Sequence, residues 1–158
     1  MRPKTYPQEP LAKLRATKVD AATSALAKAV RSREQADRVE RSNRKVGEDA
    51  EARVKATRDA ERSALESGEL RAADLERAEA WGARVEGDRA EIERRVANAS
   101  SRAQAARDAE GVARDGVANA RVDEVVVERD RARWEDGERK RAEAKEEEAA
   151  SEAWRKPT

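Results

Sequence analysis

From residue 11 onward the apolar positions recur mostly three, four or seven residues apart: Leu11, Leu14, Val19, Leu26, Val30, Val39, Val46 and Val54. A second set, Trp81, Val85, Ile92, Val96, Ala99 and Ala103, repeats the pattern with eleven-residue steps from Trp81 through Ile92 to Ala103. Three-four spacing puts one apolar seam on each of two helices, and elevens mixed with sevens imply a locally straighter supercoil. The prolines lie only at the ends, at Pro3, Pro7, Pro10 and Pro157, so the stretch between Pro10 and Pro157 lacks the residue that breaks helix interiors. Pro10 itself suits the first helical position. The pattern predicts an all-α fold, a long antiparallel two-helix coiled-coil hairpin. Its expected parts are a flexible segment 1–9, a first helix 10–66, a bend 67–71, a second helix 72–152 and a flexible tail 153–158.

The bend is placed by Ser67-Gly68, because glycine suits the left-handed residue that ends a helix. One unbroken helix would exceed about 200 Å, and charge favours folding back. Residues 1–66 carry 16 Lys and Arg against 11 Asp and Glu, whereas residues 69–158 carry 19 against 23. Halves of opposite sign favour pairing with each other over pairing with their own copies, which predicts a monomer. Folding at Gly68 sets Val39 opposite Val96, Val30 opposite Ala106, Val54 near Val85, and Leu11 and Leu14 against the Val122 to Val127 stretch. Gly82 and Gly87 offer a rival bend, and with Gly111, Gly116 and Gly137 they predict a second arm that is irregular in places, since a helical glycine costs about 1 kcal/mol. Exposed faces carry an acid four residues before a base at Glu34 and Arg38, Asp37 and Arg41, Glu40 and Arg44, Glu51 and Lys55, and Glu91 and Arg95, each worth about 0.2 to 0.5 kcal/mol.

Composition narrows the class. Six Leu, one Ile and thirteen Val make up about an eighth of 158 residues, too little for a compact globular core. Disorder would bring a high net charge and more Pro, Gly and Ser. The net charge is +1, and Ala, Arg and Glu dominate, as in long helices. With no His and no Cys there is no Ser/His or Cys/His dyad, no ordinary zinc site and no disulfide, and catalysis is not expected. No glycine-rich phosphate loop occurs. The acidic run Lys145 to Glu152 reads as a solvated helix face rather than an acid/base pair. Residues 1–33 hold eight Lys and Arg against two acids, which reads as a complement to the acidic second half rather than a nucleic-acid surface. The longest aliphatic run is Val125 to Val127, so neither a cleaved signal nor a membrane span is expected. No cofactor or metal is called for.

Two apolar groupings remain. Leu65, Leu70, Leu75 and Trp81 crowd the bend, where the arms offer the fewest opposite partners; either a short turn folds over Leu65 or these side chains await another protein. At the other end the second arm outruns the first by roughly 25 residues, which sets Trp134 beside Tyr6 and leaves Trp154 as an end cap or a docking residue.

Three stretches resemble the FliJ/YscO family of type III secretion stalk proteins: Tyr6 to Leu26, with a Leu/Lys/Arg helix start and a Lys-Val-Asp-Ala-Ala step; Ala72 to Val96, with Asp-Leu followed by an aromatic and an aliphatic position; and the charged Ala120 to Trp154. The Val-Asp-Ala start and acidic tail lean toward the injectisome branch, while the low leucine content and the glycines depart from the pattern. The resemblance implies a helical hairpin whose two-termini end enters the pore of a hexameric secretion ATPase and whose bend reaches the cytosolic domain of the major export-gate protein, at the cytoplasmic base of the apparatus, with free secretion chaperones as further partners. By region, Leu11, Leu14, Val126, Val127 and Trp134 then belong to the ATPase end, and Leu65, Leu70, Leu75 and Trp81 to the gate end. A homo-oligomeric coiled-coil scaffold with no ATPase partner is the rival reading, and a DNA-binding helical protein a third.

Overall fold

A computed structural model describes residues 5–155 and consists of two helices, α1 (Glu9–Glu66) and α2 (Ala72–Arg155). Packed against each other and joined by one bend, they form an antiparallel all-α hairpin, with no strand among the described residues. α1 starts one residue before the expected Pro10, and α2 runs three residues past the expected end at 152. The expectations for residues 1–4 and 156–158 lie outside the described residues. Residues 5–8 are not loose: Tyr6 is buried, and its backbone carbonyl accepts from the Glu9 N–H at 3.1 Å where α1 begins.

The inward positions of α1 follow an unbroken three-four alternation: Ala12, Arg15, Val19, Ala22, Leu26, Ala29, Arg33, Ala36, Glu40, Asn43, Gly47, Ala50, Val54, Thr57, Glu61 and Ala64 are buried or half-buried. This seam differs from the expected one. Leu14, Val39 and Val46 are exposed, and Arg15, Glu40 and Gly47 face inward instead. Ala12, Val19, Leu26 and Val54 hold one seven-residue phase and Ala22, Ala29, Ala36, Ala50 and Ala64 the other, and the three exposed residues each stand one position off these two rows. On α2 the inward row runs through Ala78, Trp81, Val85, Ile92, Val96, Ala99, Ala103, Ala106, Glu110, Ala113, Val117, Ala120, Glu124, Val127, Arg131 and Trp134. It shares the seven-residue spacing, with an eleven-residue step from Val85 to Val96. The glycines do not interrupt α2, which is continuous through Gly82, Gly87, Gly111, Gly116 and Gly137. Neighbouring turns and i,i+4 pairs supply the helix stability that those positions lack.

The chain divides into two units, Lys28–Gly111 and Met1–Ala27 with Val112–Thr158. Within Lys28–Gly111, Val96 lies 3.9 Å and Ile92 3.4 Å from where a Cβ on Gly47 would stand. The expected pairing of Val39 with Val96 is therefore displaced by about two helical turns. The seam phase moves it, because Val39 stands one position off the inward row of α1. At Gly47 only a hydrogen stands opposite the Ile92 methyl.

Lys28–Gly111 also carries a buried charged layer. Glu40 is 6% and Glu110 5% exposed. Arg33 donates from Nε to Glu110 Oε2 (2.8 Å) and from Nη1 to Asp37 Oδ2 (3.2 Å). Arg107 Nη2 donates to Asp37 Oδ1 (2.7 Å) and Glu40 Oε2 (3.0 Å), and Arg44 Nη2 to Glu40 Oε1 (2.8 Å). The bond from Arg33 holds the Asp37 carboxyl below its usual range. Burial pushes the Glu40 carboxyl up, but hydrogen bonds from Ser100, Arg107 and Arg44 outweigh it and the net shift is downward. Breaking one member would strand a buried charge, so the layer penalises any pairing that slides one helix past the other. Farther along, Arg89 pairs with Glu51 (3.9 Å) and Arg58 with Glu86 (3.7 Å).

In the other unit Arg15 pairs with Asp123, and Arg131 with Glu9. Cross-helix pairs thus run both ways, α1 supplying the base at Arg15, Arg33 and Arg58 and the acid at Glu9, Asp37, Glu40 and Glu51. Local alternation rather than the net sign of each half joins the arms. Of the expected i,i+4 pairs, Glu40 with Arg44 and Glu91 with Arg95 form. Asp37 turns instead to Arg33 and Arg107.

Candidate functional site

The bend is built by local rules. α1 ends in a Schellman motif: the Glu69 N–H donates to the Ala64 carbonyl (3.1 Å) and the Gly68 N–H to the Leu65 carbonyl (3.2 Å), with Gly68 in the left-handed region at φ 74°. α2 opens with half a capping box, in which the Asp74 carboxylate accepts from the Arg71 N–H at 3.0 Å. Leu70 and Leu75 then occupy the N′ and N4 positions of a hydrophobic staple.

These rules leave apolar surface uncovered. Leu65 is 53% and Leu75 47% exposed, while Leu70 and Trp81 are half-buried. With Thr57, Glu61 and Ala78 they line an open groove of about 290 Å³. All four residues expected at the bend thus line one surface, and no turn covers Leu65. Glu61, which the sequence reading passed over, stands on the same groove. Its signal was available, because it lies seven residues after Val54 on the inward phase of α1.

The end carrying both termini is differently made. The Tyr6 and Trp134 rings pack with centroids 5.7 Å apart and planes at 58°. The Arg131 guanidinium sits 5.8 Å from the Tyr6 centroid. The Tyr6 hydroxyl donates to Asp130 Oδ2 at 2.5 Å, and this bond, with burial, pushes its pKa up to about 12. Of the five residues expected to meet an ATPase, Val127 is buried in the seam and offers no surface to a partner. Leu11 and Trp134 are half-buried, and Leu14 and Val126 are exposed. Val112, Val122 and Val125 are also exposed on α2. Trp154 is 92% exposed on a helix end where residues 139–154 are all exposed, so it caps nothing within the described chain.

No protein-family model matches this chain, and no curated protein or solved structure matches it. Among the described residues no group of three or more acidic side chains is arranged to hold a metal ion, and no helix is long and apolar enough to cross a membrane. The surfaces present offer apolar anchors between charges, which suits binding another polypeptide.

Proposed function

We propose that the chain is a non-enzymatic stalk protein of a bacterial type III secretion apparatus, linking the hexameric secretion ATPase to the cytosolic domain of the major export-gate protein and handling free secretion chaperones at the cytoplasmic base. The observation that carries this reading is the groove at the bend, where apolar side chains gather at the point the hairpin itself leaves open. Support also comes from the resemblance of Tyr6 to Leu26, Ala72 to Val96 and Ala120 to Trp154 to the FliJ/YscO family. The hairpin connectivity adds to this, since it provides one end with both termini and one end with the bend. Leu14 and Val126 are the side chains available to an ATPase, and Leu65, Leu70, Leu75 and Trp81 those available to a gate. The test is to mix the purified chain with a secretion ATPase hexamer. Co-purification and a raised hydrolysis rate are expected, and Leu14→Ala with Val126→Ala should remove both. A chain that neither binds the hexamer nor changes its rate defeats the proposal.

The exposed valines Val112, Val122, Val125 and Val126 favour a second reading, a homo-oligomeric coiled-coil scaffold. Light scattering separates the two: a monomer supports the stalk, and a stable dimer cross-linked through equivalent residues supports the scaffold.

A further inference from the structure

We infer that the groove at the bend binds a partner segment presenting an aliphatic or aromatic side chain together with a Lys or Arg about one helical turn away, the apolar side chain entering between Leu65, Leu75 and Trp81 and the cation pairing with Glu61. The inference rests on the proposed gate-binding role of the bend and names the chemistry of what binds there.

Three observations converge on that occupant. The first is form: the groove is shallow and open to solvent, whereas small-molecule pockets enclose most of the ligand's surface, so it suits side chains presented by a polypeptide. The second is Glu61. It is half-buried at an inward-facing position, and its carboxylate has no ion pair or hydrogen bond among the described residues. Of the other inward charges, Arg15, Arg33, Glu40, Glu110 and Arg131 are paired, while Glu124 lacks a partner among the described residues as Glu61 does but does not line this groove.

The third is the charge around the groove. Residues 57–81 carry seven Asp and Glu against four Lys and Arg, in a chain whose net charge is +1. Of those four cations, Arg77, which itself lines the groove, faces Asp74 at 3.6 Å and Arg58 faces Glu86 at 3.7 Å, which leaves Arg62 and Arg71 against six acids. The charge left to be matched is negative and borders apolar surface. That combination selects a basic amphipathic segment and disfavours nucleic acid or an anionic lipid surface.

The experiment uses the full chain, labelled with ¹⁵N, and two synthetic helical peptides with the same leucine positions, one carrying lysines and the other glutamates in their place. The lysine peptide should shift the Trp81 indole signal saturably, and the glutamate peptide should not. Glu61→Gln should weaken the lysine peptide about fivefold, Leu75→Ala should weaken it further, and Glu147→Gln in the distant acidic run should leave it unchanged. Glu61→Lys should reverse the preference between the peptides. Equal binding of both peptides, an equal loss from Glu147→Gln, or no effect of Glu61→Gln overturns the inference. Circular dichroism on each variant separates lost binding from lost fold. A parallel pull-down with the cytosolic domain of the export-gate protein keeps the two claims apart. Gate binding that ignores Glu61→Gln sinks this inference and spares the stalk reading, whereas peptide selectivity without gate binding does the reverse.

Discussion

Replacing Gly47 by alanine should stabilise the hairpin. Gly47 is half-buried on the inward row of α1, where an added Cβ would stand 3.4 Å from Ile92 Cγ2 and 3.9 Å from Val96 Cγ2. Those distances are ordinary contact, so the methyl fills space without displacing its neighbours. Alanine in a helix interior gains about 0.8 to 1.0 kcal/mol over glycine. Burying a methyl group fully adds about 0.8 kcal/mol, and half of that is appropriate at a half-buried position. The total is about 1.3 kcal/mol, or roughly 3 to 5 °C in thermal midpoint for a chain of this length. Urea unfolding followed by circular dichroism should show a higher midpoint at unchanged slope. Gly116→Ala, with nothing within 4 Å of its added Cβ, supplies the comparison and should gain the helix contribution alone, about 1 kcal/mol. Gly47→Leu should instead lose about 1 to 3 kcal/mol by overpacking. If Gly47→Ala lowers the midpoint while Gly116→Ala raises it, the helices are closer at Gly47 than the Ile92 contact allows and the seam is wrongly placed.

The buried layer makes stability acid-sensitive. Asp37 and Glu40 titrate below their ordinary 3.8 and 4.5, so their contribution is complete above those values and lost as pH falls through the lower, folded ones. The thermal midpoint should hold from pH 7 to pH 5 and then fall, and Asp37→Asn with Glu40→Gln should flatten the acid limb; a midpoint unchanged at about pH 2.5 contradicts this. Tyr6 behaves in the opposite sense: its pKa near 12 means the folded contribution is complete below 10 and lost as pH rises through about 12. Tyrosinate absorbance at 295 nm should show no midpoint near the ordinary 10.0, and Asp130→Asn should move the transition down toward it. Leu75→Ala with Trp81→Ala should leave the far-ultraviolet helix signal nearly unchanged while weakening gate binding, and a collapse of helicity would return both residues to the core.

The two helices and their bend were legible because the relevant rules are local. Proline exclusion, alanine content and a glycine at the helix end act within a few residues, and Gly68 does adopt the left-handed conformation. The apolar groove was legible too, since Leu65, Leu70, Leu75 and Trp81 sit where two antiparallel arms run out of opposite surface. The seam was not. Valine at 39 and 46 attracts attention by hydrophobicity, but phase is set by the small residues, and alanine is too common here to reveal which of its copies face inward. Glu40 and Glu110 were hidden for a related reason: a charge inside a seam is tolerable only when its partner is known, and Arg107 and Arg33 come into reach only once the register is fixed. Glu61 shares that phase and was missed with it.

A seam lined by Ala22, Ala29, Ala36, Ala50 and Ala64 surrenders almost no rotamer freedom on packing, because alanine has none to lose, whereas each Leu or Ile gives up about 0.5 to 1 kcal/mol. Weak attraction between the arms is therefore matched by a small ordering cost. Stretches of such a helix pair can part and rejoin without a search through side-chain conformers, which makes local opening a matter of breaking a few methyl contacts and ion pairs rather than of repacking a core.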